Sequence, residues 1–548
     1  MTRSASVARA AALGLWAYYL VYSLVAPAVV TDAHLYDLAR LYVIRQGGLL
    51  HNDVFTNFTQ LVFPWTFSAA HWPFVRLGAG YALPSFACFT GILVVAFTAI
   101  APAYGAEIAW LSTLALLALP TLVYQATSIK PDVAVVFGVF CWFDALRRAR
   151  RDGGRLPLLV SALALAFAAG AKTSGVPIAA GLALATVWTL RNDRRRAAEW
   201  IAAAGVFVVL FGSVETYVGT RLTYGNYAGP DGLRALRNND GVPGALANLV
   251  RHVAYNVDVG ADVLADHKTA LSTGAEEVCR RLLAALGWEA KGIAPVMGRR
   301  PLDFVKSGYE AQDGFGPVGT IAMLVVPVVL VRGRIRGAPW QLAAASVASL
   351  ALVCQTVGFN LWVNRFLLLP FVLGTLAAVL YLAPRWQRSA GFRVGTLVVL
   401  LYAGCVLPLY SYARKPSDVW QSIADRDLML TKELPGKLPA LRAARAIVAA
   451  CPTSFWVVTA TTLAPQFLFY DLLRDRELLS RPAFLDAARL AQIRAEHPGR
   501  PIRLLAIDQP LFEEPAALGL TELASFPNDA RRVTRIFRYG DDACAAGP

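Results

Sequence analysis

The sequence predicts a polytopic α-helical membrane protein. It has about eleven transmembrane helices, juxtamembrane helices at the outer face and a small C-terminal extracytoplasmic α/β domain. Three observations carry that reading. Hydrophobic residues make up 56% of the 548-residue chain and charged residues only 16%, with a mean hydropathy of +0.48. A soluble domain is nearer a quarter charged. Apolar stretches of bilayer-crossing length recur over residues 1–413. Arginines gather in the short loops between alternate stretches, which marks the inner side of a membrane.

The first stretch, 7–30, follows Arg3 and Arg9, so the N-terminus is placed in the cytoplasm. Ala26-Pro27-Ala28 has the look of a signal-peptidase site. The run before it is too long for a signal peptide, and the segment reads as an uncleaved anchor. Further stretches fall at 79–103, 107–126, 131–146, 156–171, 174–190, 197–219, 315–332, 338–359, 361–383 and 394–413. This parity puts the clusters Arg147 to Arg155, Arg191 to Arg196, Arg332 to Arg336 and Arg385 to Arg393 in the cytoplasm. It puts every lysine (130, 172, 268, 291, 306, 415, 432 and 437) outside or at the outer interface. Counting 54–77 as another span would invert the arrangement. That segment therefore reads as an interfacial helix, with Trp65, His71, Trp72 and Arg76 at the membrane surface.

Three regions are hydrophilic. The first outer loop, 31–78, holds a helix from about Ala33 to Gln46, because Leu35, Leu38, Leu41 and Tyr42 recur at helical spacing. The second, 220–314, is a long outer loop with amphipathic patches at 246–265 and 276–286. The third, 414–548, reads as an outer α/β domain. Its expected strands are Phe455–Val458, Ile502–Ile507 and Arg535–Tyr539; its expected helices are Phe467–Leu473 and Pro482–Glu496. Cys451 and Cys544 flank it and could bridge in an oxidising compartment, while Cys279 is left over. Cys88, Cys141, Cys354 and Cys405 lie in apolar stretches as packing residues. The formal charge of +15 sits in the inner loops, which argues against a nucleic-acid partner.

The candidate chemistry collects at outer helix ends. Asp32, in Thr31-Asp32-Ala33-His34-Leu35-Tyr36-Asp37, follows the first span. It is either a helix cap or a general base for an attacking hydroxyl. His34 and Asp37 accompany it, and Asp37 could instead pair with Arg40 one turn on. Lys130 and Asp132, in Lys130-Pro131-Asp132, open another helix; Asp132 suits its positive end. Lys172, in Gly170-Ala171-Lys172-Thr173-Ser174-Gly175, is a cation in a very short apolar turn. It either snorkels to the interface or meets an anion across its small neighbours. Arg365, in Asn364-Arg365-Phe366, breaks the inner-side bias, and its guanidinium matches phosphate. Glu310 and Asp313 close the long loop, as solvated charges or as a second acidic contribution. No metal-ligand spacing is evident; a divalent metal is left open, and no cofactor is called for.

Several of these motifs, in this order and on this side, resemble GT-C superfamily integral-membrane glycosyltransferases, the class of the protein mannosyltransferases and aminoarabinose lipid A transferases. They are the acidic Thr31 to Tyr36 motif, Ala39-Arg40-Leu41-Tyr42, the proline-bearing second interfacial helix, Lys130-Pro131-Asp132, Gly170-Ala171-Lys172 and Arg365-Phe366-Leu367-Leu368-Leu369-Pro370. One departure stands out. Many members carry two adjacent acidic residues after the first span, whereas here Ala33 follows Asp32.

The resemblance implies an enzyme that moves a sugar from a polyprenyl-phosphate donor to a glycan, lipid or protein acceptor, with inversion, at the outer face of a bacterial inner or plasma membrane. Asp32 would be the base. Lys172 and Arg365 would hold the leaving phosphate, and Lys130 and Asp132 would orient the sugar. The alternatives are a transporter or flippase for lipid-linked sugars, or an O-antigen-type ligase; neither needs Asp32 as a base.

Overall fold

The structure, a computed structural model, describes residues 3–29, 31–47, 58–227, 229–257, 259–260, 268–294, 314–333, 335, 337–360, 363–406, 414–460, 464–473, 478–481, 486–509, 515–529, 532–540 and 544. Four described helices are long and apolar enough to cross a bilayer: Arg3–Val25, Leu83–Tyr104, Ala338–Thr356 and Asn364–Arg388. Two bent pairs bring the count to six if each is one crossing. These are Ala106–Leu117 with Pro120–Ala126, bent by 76°, and Arg194–Phe211 with Val214–Tyr224, bent by 62°. The expectation of about eleven transmembrane helices is therefore corrected.

The reason is geometric. Four more apolar helices, Arg155–Ala171, Gly175–Leu190, Gly316–Arg332 and Ala390–Val406, have at most 17 residues. At about 1.5 Å per residue they reach roughly 25 Å, short of a core about 30 Å thick. The helix Asp132–Asp152 is long, but it carries Asp132, Asp144 and four arginines. An apolar stretch reveals composition, not where the chain breaks. The chain remains an integral membrane protein by its apolar helices.

Two compact units form. The first comprises Met1–Ser23, Pro84–Val214 and Ala228–Ser417. Here Arg155–Ala171 packs against Asp132–Asp152 and Arg194–Phe211. Its buried face is mostly alanine (Ala162, Ala166, Ala169), which lets backbones approach closely. Two buried indoles find hydroxyl partners: Trp142 Nε1 donates to Thr186 at 2.9 Å, and Trp200 Nε1 donates to Ser161 at 2.9 Å. In the long loop, Gly241–Tyr255 packs beside Ala270–Ala285. Arg251 fastens the turn after them through the carbonyls of Lys291 (2.6 Å), Glu289 (2.8 Å) and Trp288 (3.2 Å).

The second unit comprises Leu24–Leu83, Glu215–Tyr227 and Asp418–Pro548. Its core is an open five-stranded sheet of β1 (Phe455–Ala460), β2 (Leu478–Arg481), β3 (Ile502–Gln509), β4 (Leu520–Asp529) and β5 (Arg532–Tyr539), in the order β2-β1-β3-β5-β4. β2, β1 and β3 run parallel; β5 is antiparallel to β3 and β4. β1 is buried along its whole length, as a central parallel strand requires. The helix Ala487–Glu496 covers one face through Leu490 and Ile493.

The C-terminal sheet does not stand as a separate, distinct α/β domain, which corrects the other half of the predicted fold class. Its unit includes the loop after the first helix, and polar contacts explain why. Gln60 donates to Leu35 O (2.8 Å) and Gln466 (3.4 Å). Tyr81 donates to Asp471, and Arg426 reaches both Tyr81 (2.9 Å) and Asp471 (3.3 Å). Gln60–Gln466, Tyr81–Asp471 and Arg426–Tyr81 join residues hundreds of positions apart, so no local pattern announces them. The expected helix from Ala33 to Gln46 is broken into a π-turn, Ala33–Asp37, and an α-helix, Ala39–Gly47.

Cys451 and Cys544 form a disulfide closing a separation of 93 residues. Cys279 is a buried free thiol. Closing a loop of that size stabilises by about 4–5 kcal/mol through unfolded-state entropy. Cys451→Ser should lower the unfolding temperature of the second unit in detergent, and reductant should do the same to the parent chain. An unchanged transition in both cases would show that the bridge carries no stability.

Candidate active site

In the first unit the structure brings together the cations and one carboxylate that the sequence singled out. Asp132 opens its helix behind Pro131 and is buried, with its charge at the positive helix end. Arg155–Ala171 ends at Lys172, whose backbone is extended, and the chain restarts as a helix at Gly175. The Lys172 ammonium pairs with Asp132 Oδ1 and lies 4.1 Å from the centre of the Phe366 ring. Arg365 enters from the 3-10 turn Val363–Leu367, with its guanidinium 5.5 Å from the same ring. Two cations thus lie near one aromatic ring. A pocket of about 30 Å³ is lined by Asp132, Ser174, Thr356, Arg365 and Phe366, with apolar neighbours. Asp132 Oδ2 is buried without a hydrogen-bond partner.

Two glycines make this turn possible. A Cβ on Gly170 would lie 1.8 Å from Phe211 O, and one on Gly175 would lie 1.9 Å from Ala168 O. Their missing side chains serve helix-to-helix approach rather than access for an anion. Lys130 is almost wholly buried, and its carbonyl accepts from Ser85 at 3.4 Å. Burial pushes the Lys172 ammonium down to about 8. Asp132 opposes that fall, while Arg365 and Lys130 add to it.

Asp32, His34 and Asp37 belong to the second unit. Asp32 makes no capping hydrogen bond with its side chain, and it is half-buried. Asp37 is buried against Arg40 at 3.3 Å. Arg40 also donates to Phe63 O and Ser68 Oγ, each at 2.7 Å. His34 is buried and stacks on Phe467, with ring centroids 6.0 Å apart. Burial pushes it down to about 3. It is therefore neutral across the physiological range. Glu310 and Asp313 lie outside the described residues.

Sequence reasoning missed Glu433, whose Oε2 accepts from Thr31 N at 2.6 Å and from Thr31 Oγ1 at 2.7 Å. The partners are 402 residues apart, and nothing local in the sequence points to the pair. Among the described residues, no three His, Cys, Asp or Glu side chains gather as a metal site.

Removing one partner of a buried ion pair costs about 3–5 kcal/mol, because the other charge is stranded. Asp132→Leu should therefore unfold at a clearly lower temperature, and adding Lys172→Met should recover much of the loss. Losses that simply add in the double variant would show that the two side chains are not coupled.

No protein-family model matches the chain, and no curated protein sequence matches it. Among solved structures, the chain is similar to ArnT from Cupriavidus metallidurans bound to undecaprenyl phosphate. The identity is 16%, over 99% of this chain and 99% of that one, with a TM-score of 0.49. It is also similar to the apo state of the same protein, at 14% identity over 97% of each chain, with a TM-score of 0.42.

Proposed function

We propose that this chain is a glycosyltransferase that moves a sugar from a polyprenyl-phosphate donor to an acceptor hydroxyl at the outer face of the membrane. The observation that carries the reading is the Lys172–Asp132 pair beside Arg365 and Phe366, a charged pocket buried among apolar helices. Charge is costly in such a place unless it has work to do. Two cations fit one phosphate group. An apolar cavity of about 400 Å³ in the same unit, lined by Leu111, Ile321, Val379, Phe392 and Val399 among others, suits a hydrocarbon chain. The order of motifs from Asp32 to Arg365 resembles the GT-C pattern. The Cys451–Cys544 bridge suits an oxidising, extracytoplasmic compartment for residues 414–548.

In this mechanism an acceptor hydroxyl oxygen attacks the anomeric carbon. The bond from that carbon to the phosphate oxygen breaks with inversion, and polyprenyl phosphate leaves. Asp32 takes the hydroxyl proton. Lys172 and Arg365 stabilise the charge that grows on the leaving phosphate. Lys130 and Asp132 orient the sugar; Asp132 Oδ2, buried and without a hydrogen-bond partner, can accept from a sugar hydroxyl. Asp37 and His34 support the segment that carries Asp32. The acceptor is a glycan, lipid or protein bearing a free hydroxyl.

The test is sugar transfer by membranes holding the parent chain or Asp32→Asn, offered a panel of radiolabelled polyprenyl-phosphate sugars and candidate acceptors. The parent should transfer one sugar, and Asp32→Asn should lose at least about a hundredfold in rate while still binding lipid. Transfer that survives Asp32→Asn removes the base and favours ligase chemistry. Lipid binding by the parent without transfer favours a transporter. The Lys172 ammonium is charged below about pH 8 and neutral above it. The kcat/KM for donor should therefore fall as pH rises through about 8, and Lys172→Arg should move that limb upward. A flat profile between pH 7 and 9 would remove Lys172 from phosphate binding.

A further inference from the structure

The second unit holds a contact that the proposed chemistry does not yet use. The C-terminal region holds the segment that carries Asp32 at two points, through Glu433 and Phe467. Glu433 Oε2 accepts two hydrogen bonds from Thr31, one from the amide at 2.6 Å and one from the hydroxyl at 2.7 Å. Three residues on, the buried His34 ring stacks on Phe467, with ring centroids 6.0 Å apart. Asp32 lies between these two contacts.

Local geometry makes the grip matter. The turn that starts at Thr31 leaves its first amides without partners inside the helix. The Asp32 side chain does not cap them. Glu433 satisfies one from outside and places a negative charge at the positive end of the turn. The chain then passes into the π-turn Ala33–Asp37, a conformation rare in proteins and frequent at functional sites. A π-turn has a wider, less favourable backbone, so its start is poorly fixed by its own hydrogen bonds. The external carboxylate fixes it.

We infer that Glu433 is a positioning residue: by holding Thr31 through two hydrogen bonds, it fixes the placement of the adjoining Asp32 carboxylate. This rests on the reading of Asp32 as the base, and it gives the C-terminal region a part in transfer that does not require it to touch substrate. Proton transfer demands heavy-atom placement within hydrogen-bond reach. A displacement of about 1 Å costs up to a hundredfold in rate.

Four variants of the full chain test it. Glu433→Ala should lower kcat by about ten- to a hundredfold, with donor KM within about twofold of the parent. Glu433→Gln should recover most of the rate, since its amide oxygen accepts the same two bonds. Thr31→Ala, which keeps the amide and loses the hydroxyl, should fall between. A second readout needs no activity. In a Cys405→Ser background, which removes the exposed free thiol, Asp32→Cys is labelled with a maleimide. Adding Glu433→Ala should change the labelling rate several-fold, and adding Glu433→Gln should not. Equal labelling with and without Glu433, or a parallel fall of kcat and rise of KM that Gln does not rescue, overturns the inference. If the parent transfers no sugar, the proposed function fails, and labelling alone still decides whether Glu433 positions residue 32.

Discussion

Everything specific in the first unit depends on the pairing of Lys172 with Asp132. An ammonium among apolar helices has few stable options: it loses its proton, reaches water or finds a carboxylate. Here it finds one, and the helix that supplies it starts at Asp132 so that the carboxylate also meets the positive helix end. The short turn from Lys172 to Gly175 is held by glycines that no larger residue could replace. Phe366 then brings Arg365 against the same ring. The cost of one buried charge thus organises three helix ends into a polar pocket.

Those residues were legible because each violates a local expectation. Lys172 is charged in an apolar turn, Arg365 stands on the side that lysines favour, and Asp132 follows a proline at a helix start. Strands β1, β3 and β5 were legible from their apolar and aromatic runs. β2 and β4 were not, because Leu478–Arg481 is too short to show alternation and Leu520–Asp529 mixes Thr, Glu, Ser and Pro with apolar residues. The number of crossings was overread for a different reason. Hydropathy sums along the chain, while crossing needs a single straight helix, and breaks at Ala118–Leu119 and Gly212–Ser213 interrupt two of the stretches. Contacts such as Thr31–Glu433 and Tyr81–Asp471 were illegible in principle, since they join residues about 400 apart that satisfy no local rule.

The same long-range contacts explain why the C-terminal sheet does not separate as its own domain. β1 and β3 are parallel neighbours, and the chain leaves β1 for β2 on one side and returns to β3 on the other. In open sheets such a reversal leaves a crevice at the carboxyl ends of the strands, where a ligand often sits. Here the chain that follows β1, from Gln466 to Asp471, is engaged by Gln60, His34, Tyr42 and Tyr81. The helix that follows β1 thus serves as a seat for the loop after the first helix.

That seating gives two carboxylates of one chain opposite conditions. Asp37 is buried and tied to Arg40, so its charge is spent on holding Phe63 and Ser68 in place through that arginine. Asp32, five residues earlier, is half-buried and makes no capping bond, and Glu433 accepts from the amide of Thr31 beside it. On the proposed reading of Asp32 as the base, its placement decides whether it can reach a proton, and the bonds from Thr31 to a glutamate 402 residues away tie that placement to the C-terminal region.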